Sequence, residues 1–146
     1  MEKKDIEIIW AAGFFDGEGC TYATKDKFLV LTIGQKNTNK EVLERFKSAV
    51  GVGNIYTYKR ESAKTGFFST YKAHSQEVKF VLELISPYLS SEKINQAKDA
   101  IELCTKYAEY KKNFHRCGHK KEGVNCKVCK RISYYRGLRA EVVKLV

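Results

Sequence analysis

The sequence has no apolar run approaching the roughly 18 to 20 residues of a membrane-spanning helix. Its opening, MEKKDIEIIW, lacks both a signal-peptide hydrophobic region and a small-residue cleavage site. A soluble, intracellular chain with no membrane partner is expected. Proline is nearly absent: Pro87 is the only one, and no low-complexity tract accompanies it. Acidic residues are few, 17 against 27 Lys and Arg, which leaves a formal net charge of +10. That balance, with a pI near 9.4, disfavours acidic small-molecule chemistry as the main business and favours a polyanionic partner, nucleic acid first. Cysteine number is low too, at five. Cys117, Cys126 and Cys129 crowd into one short span with His115 and His119. A disulfide framework is not compressed in this way, whereas a metal site is.

What is present is enough for one compact domain and a small appendage: 146 residues, 43% of them hydrophobic. Residues 5–15, DIEIIWAAGFF, are too densely apolar for a solvated helix and predict one buried on most of its surface, with Asp5 as N-cap. Residues 20–34 alternate as two strands around Lys25-Asp26-Lys27, with Leu29, Leu31 and Ile33 on one face and Val30 and Thr32 on the other. Thr38 and Glu41 stand at capping-box spacing before a helix that Gly51 ends. Residues 52–60 and 67–74 form a second hairpin, residues 75–85 a helix, and Ser91 to about Lys112 a long helix after Pro87. The order α-β-β-α-β-β-α-α predicts an α+β domain over residues 1–110 with a four-stranded antiparallel sheet. Residues 111–146 change to a basic, Cys/His-rich composition and read as a separate module.

The run AAGFFDGEG, residues 11–19, ends in two carboxylates set among glycines. On spacing alone it is a helix stop with both acids in solvent, or a cation site. A carboxylate at a helix C-terminus meets the negative pole of the helix and needs a cation to offset it. A hard ion such as Mg²⁺ suits carboxylate and backbone oxygen donors.

This segment resembles the LAGLIDADG motif of the homing endonucleases, with Gly13, Asp16 and Gly19 matching and Phe14 and Phe15 replacing the aliphatic pair. The element order, GQKN after the second strand, VGVGNIY opening the third, and SPYLSSEKINQA before the last helix are similar to single-motif members of that family, over roughly residues 5–105. The resemblance implies a saddle-shaped antiparallel sheet and a homodimer whose motif helices meet through Ala12, Gly13 and Asp16. It implies that Glu18, where Asp is usual, binds catalytic Mg²⁺ with the carbonyl of Gly17. It further implies that Gln35 positions water, that Lys93 offsets charge at the scissile phosphate, and that Lys40 is a further basic residue of the site.

A twisted antiparallel sheet can enter a major groove and present alternate residues to it. Alternation places Tyr22, Thr24 and Thr32 on one face and sets Asn54, Tyr56, Tyr58 and Arg60 opposite Ile55 and Thr57; Tyr71 joins the expected double-stranded DNA contacts. Lys25 and Lys27, with Lys59 and Lys72, suit phosphates. In the fourth strand neither Ser69, Tyr71 and Ala73 nor Phe68, Thr70 and Lys72 is clearly the core face.

Cys126-x2-Cys129 presents two thiolates at the spacing of a tetrahedral Zn²⁺ knuckle, with Cys117 and His119, or His115 in place of His119, completing the set. The surrounding arginines and lysines make this structural zinc module an added DNA grip. The expected function is that of a site-specific, Mg²⁺-dependent homing endonuclease. It would cut a long palindromic or pseudo-palindromic DNA site to leave 3′ overhangs. A DNA-binding regulator without cleavage and a maturase binding its own intron RNA are the alternatives.

Overall fold

The structure, a computed structural model, describes residues 1–59 and 66–112. Packing divides the chain into two compact units, Met1–Ile101 and Glu102–Val146. Among the described residues, the first carries every strand. The Cys/His cluster, Cys117, His119, Cys126, Cys129 and His115, lies outside the described residues, as does Arg60.

Helix α1 spans Lys3–Glu18. Its N-cap is Glu2 rather than Asp5. Asp5 sits three residues in and accepts the Glu2 N–H at 3.0 Å, so the acid expected to open the helix closes a capping box instead. The helix runs through Gly13 and Gly17 and stops at the Gly17–Gly19 end expected from the glycines. Gly19 ends it in an extended conformation, with its N–H on the Phe15 carbonyl. A Cβ at Gly19 would fall inside the Phe15 ring, so only glycine lets strand and helix part here.

Strand β1 (Gly19–Ala23) pairs with β2 (Leu29–Lys36). A 3₁₀ turn at Asn37–Asn39 then leads into α2 (Lys40–Val50), whose N-cap, Asn39, makes no side-chain cap bond. The turn takes the place of the Thr38–Glu41 capping box expected from the sequence. Strands β3 (Asn54–Lys59) and β4 (Phe67–His74) form the second hairpin; α3 (Gln76–Ile85), a turn through Pro87, and α4 (Ser91–Lys112) follow. The sheet order is β1-β2-β4-β3, antiparallel throughout, so the two hairpins meet through β2 and β4.

The register sorts the sheet into two faces. Thr21, Leu31, Ile33, Ser69, Tyr71 and Ala73 are buried on the helix side, beneath Phe15 of α1, Leu43 and Phe46 of α2 and Val78, Val81 and Ile85 of α3. This settles the ambiguity of the fourth strand. Tyr71 meets the Phe46 ring edge-on at 4.9 Å and donates its hydroxyl to the Val52 carbonyl at 2.8 Å. Burial, with Glu77 nearby, pushes its phenol well above the ordinary range. A Cβ at Gly53, which has φ +87°, would strike the Tyr71 hydroxyl.

Arg45 of α2 fixes α1 from outside. Its guanidinium grips both oxygens of Glu7 at 2.9 Å and lies 3.9 Å above the Trp10 ring, which in turn stacks on Phe14 at 5.4 Å. The side of α1 turned from the sheet carries Ile6 and Ile9, 49% and 38% exposed, followed by exposed Gly13 and Gly17. Among the described residues no helix is long and apolar enough to cross a membrane.

Candidate active site

The C-terminal end of α1, the outer part of β2 and the start of α4 converge on one place. Glu18, the last residue of α1, is exposed. Its Oε2 accepts a hydrogen bond from Gln35 Nε2 at 3.3 Å, although the two lie 17 residues apart. One residue on, the carbonyl of Gly19 accepts from Lys93 Nζ, reaching across from α4. Glu18, Gln35 and Lys93, the three site residues named from separate stretches of sequence, are thus brought together around two consecutive residues.

The electrostatics explain how two acids are tolerated at a helix C-terminus. No basic residue lies in the last turn of α1, so the helix supplies no compensation of its own. The Lys93 ammonium supplies it from another helix. Asp16 is used differently from Glu18: its Oδ1 accepts the backbone N–H of Ser90 at 2.8 Å. Hydrogen bonds from Ser90, and then the charge of Lys93, hold the Asp16 carboxyl below the usual carboxylate range. Glu18 therefore remains the acid with an open side.

Two expectations need correction and one stays apart. Ala12 is fully buried within its own chain, facing the sheet, and has no surface to offer a partner helix; Ile6, Ile9, Gly13 and Gly17 form the outward line instead. Tyr71 lies in the core under Phe46, on the helix side of the sheet, and cannot present its ring to DNA. Lys40 opens α2 and makes no hydrogen bond or ion pair with Glu18, Gln35 or Lys93. Ser90 and the Gly19 carbonyl were not anticipated. Ser90 could have been found from its spacing, three residues before Lys93 at the start of a helix.

The sheet face turned from the helices carries Tyr22, Val30, Thr32, Asn54, Tyr56, Tyr58, Phe68 and Lys72, in register across four strands. Tyr56 and Tyr58 are 48% and 44% exposed. Thr32 donates to the Tyr71 carbonyl at 3.1 Å, and the Thr24 hydroxyl accepts Phe28 N–H at 3.0 Å in the hairpin loop. Lys25 and Lys27 lie on that loop, Lys27 with φ +62°.

A sequence profile of the LAGLIDADG endonucleases matches residues 11–104, from within α1 to within α4. The chain belongs to the LAGLIDADG endonuclease family. Solved structures agree on the fold. The homing endonuclease I-CvuI, in complex with the I-CreI target in the presence of Mg, is similar with a TM-score of 0.62 at 21% identity, over 98% of this chain and 83% of that one. The archaeal intron-encoded homing endonuclease I-Vdi141I, complexed with DNA, gives 0.58 at 19%, over 97% and 85%. The group I intron-encoded I-CeuI, also complexed with DNA, gives 0.53 at 15%, over 82% and 69%. The search of curated proteins found no match.

A divalent cation fits the donors at the α1 terminus in part. Glu18 offers a carboxylate whose second oxygen is unengaged, beside backbone carbonyls. Among the described residues no group of three or more His, Cys, Asp or Glu side chains is placed to hold a metal.

Proposed function

We propose that the protein is a site-specific homing endonuclease that acts as a homodimer on a long palindromic or pseudo-palindromic double-stranded DNA site. The observation that carries this reading is the meeting of Glu18, Gln35 and Lys93, which binding alone does not need. A free carboxylate beside DNA repels phosphate and has a use there if it holds a cation. Glu18 and the Gly17 carbonyl would hold Mg²⁺, which when bound lowers the pKa of water and offsets charge on the phosphate. Gln35, already oriented by Glu18, presents an amide that can order a water for in-line attack. Lys93 holds positive charge one residue from the carboxylate, where it can face the scissile phosphate.

The lone open carboxylate at the end of α1 supports the dimer, since a second copy brings a second Glu18 to a shared site. The outward line Ile6, Ile9, Gly13 and Gly17 is apolar and low, and would allow two helices to approach closely. The tyrosine-bearing sheet face would meet base edges through Asn54 and the tyrosines, with Thr24, Lys25, Lys27 and Lys72 nearer to phosphates. Cys117, His119, Cys126 and Cys129 would clip the basic C-terminal segment with Zn²⁺. A Cys126→Ser, Cys129→Ser double variant is expected to lose bound zinc by metal analysis; unchanged zinc content would remove that assignment.

The direct test is to incubate the purified chain with a randomised duplex library in Mg²⁺ and in Ca²⁺ and sequence the ends. Discrete Mg²⁺-dependent ends with 3′ overhangs are expected. Bound but uncut DNA in both ions would instead make the protein a DNA-binding regulator.

A further inference from the structure

Two contacts join the end of α1 to the start of α4, and both are donated from the α4 side. Asp16 Oδ1 accepts from Ser90 N at 2.8 Å, and the Gly19 carbonyl accepts from Lys93 Nζ. Ser90 and Lys93 are tied to each other within the turn. Lys93 N–H donates to the Ser90 hydroxyl at 3.4 Å, and Ile94 N–H to the Ser90 carbonyl at 3.1 Å. Asp16, Ser90, Lys93 and Gly19 are thus linked in sequence by hydrogen bonds, and the chain itself joins Asp16 to Gly19. Neither Asp16 nor Lys93 is fully exposed.

An ammonium on a four-carbon stem loses considerable rotamer freedom when held to a single acceptor. Something must make that arrangement favourable. The Gly19 carbonyl provides one acceptor, and the Asp16 charge provides a nearby counterion. Asp16 also reaches the lysine through Ser90, whose N–H it accepts and whose hydroxyl accepts the Lys93 N–H. An amide in place of Asp16 could still accept from Ser90 N, but it would leave the ammonium unbalanced.

We propose that Asp16 is a positioning residue: it seats the start of α4 through Ser90 and holds the Lys93 ammonium at the Gly19 carbonyl, next to Glu18. The inference rests on the nuclease reading, because only there does the placement of Lys93 serve the reaction. The two acids of the motif then divide the work, Glu18 facing the cation and Asp16 aiming the lysine.

The test uses the full chain and the DNA site recovered from the library, with Asp16→Asn, Asp16→Ala, Lys93→Met and the double variant Asp16→Asn/Lys93→Met. Asp16→Asn is expected to lower kcat about tenfold and Asp16→Ala toward a hundredfold, with KM unchanged, as misplacement of a reacting group does. The double variant should be no slower than Lys93→Met alone. In parallel, NMR of ¹⁵N-lysine-labelled protein reads the Lys93 ammonium, which should gain motion in both Asp16 variants. Losses that multiply in the double variant, or a Lys93 ammonium equally ordered in Asp16→Asn, would overturn the proposal. Asp16→Asn keeps size and acceptor, so it decides the matter if Asp16→Ala does not fold. Absence of Mg²⁺-dependent cutting by the unmutated chain would sink the nuclease reading alone, and the ammonium signal would still decide whether Asp16 holds Lys93.

Discussion

Gln35 Nε2 donates to Glu18 Oε2 across 3.3 Å and so links the second strand to the last residue of the first helix. Glu18→Gln keeps the length of the side chain and an oxygen acceptor for Gln35, but removes the charge. DNA binding and folding are expected to persist, with cutting reduced on the order of 10³-fold or more. Gel-shift and cleavage assays on the same preparation check this. Loss of binding along with cutting would mean that the carboxylate supports structure rather than chemistry.

Gly19 has no room for a methyl group, because its Cβ would enter the ring of Phe15, which is itself packed 6.4 Å from Phe46 in the core. Gly19→Ala must push either the strand or the ring. Overpacking of this kind costs about 1–3 kcal/mol, read as a lower denaturation midpoint in urea. The same push moves the carbonyl that Lys93 uses, so cleavage should fall even where the protein remains folded. A variant with unchanged stability would show that the α1–β1 junction is looser than this packing implies.

Much of this arrangement was legible in the sequence. The inward facing of Leu29, Leu31 and Ile33, and the helical spacing after Ser91, survive because local preference and tertiary packing agree, although Val30 on the opposite face is buried too. The helix-end carboxylates, Gln35 and Lys93 were found through their likeness to a known motif, and geometry then brought them together. The failures have physical causes. Tyr71 lies in a strand whose two faces are about equally apolar, so period alone could not say which was buried. Ala12 is small on a helix that is apolar nearly all round, and sequence does not distinguish the side toward the sheet from the side away from it. Asp5 missed its place because Glu2, three residues earlier, caps the helix and takes Asp5 into a capping box.

Glu7 and Asp16 give the fold a defined acid sensitivity. Arg45 holds Glu7 below its ordinary value through their hydrogen bonds, and Ser90 does the same for Asp16. For a carboxyl whose folded pKa is depressed, the stabilisation is full above the unfolded value. It is lost as pH falls from about 4 through the lower folded value. Melting temperature should therefore be flat near neutrality and drop in that acid range. In a Glu7→Gln, Asp16→Asn double variant the drop should be shallower. An identical acid limb in the double variant would assign the sensitivity to other carboxylates.

Gly13 separates folding from assembly. A Cβ built at Gly13 meets nothing within 4 Å inside its own chain, and the position is exposed on the same side of α1 as Ile6 and Ile9. Within one chain a larger residue there is accommodated, and replacing glycine in a helix interior favours the helix by roughly 0.5–1 kcal/mol. If a second copy packs along this line, the same side chain would wedge the helices apart. Gly13→Leu is therefore expected to keep its helical circular dichroism, sediment as a monomer and lose double-strand cutting. The opposing signs matter, because general damage to the fold would lower helicity and cleavage together. A Gly13→Leu protein that still sediments as a dimer and still cuts would place the subunit contact on another face. The Glu18 carboxylates would then have no reason to meet along α1.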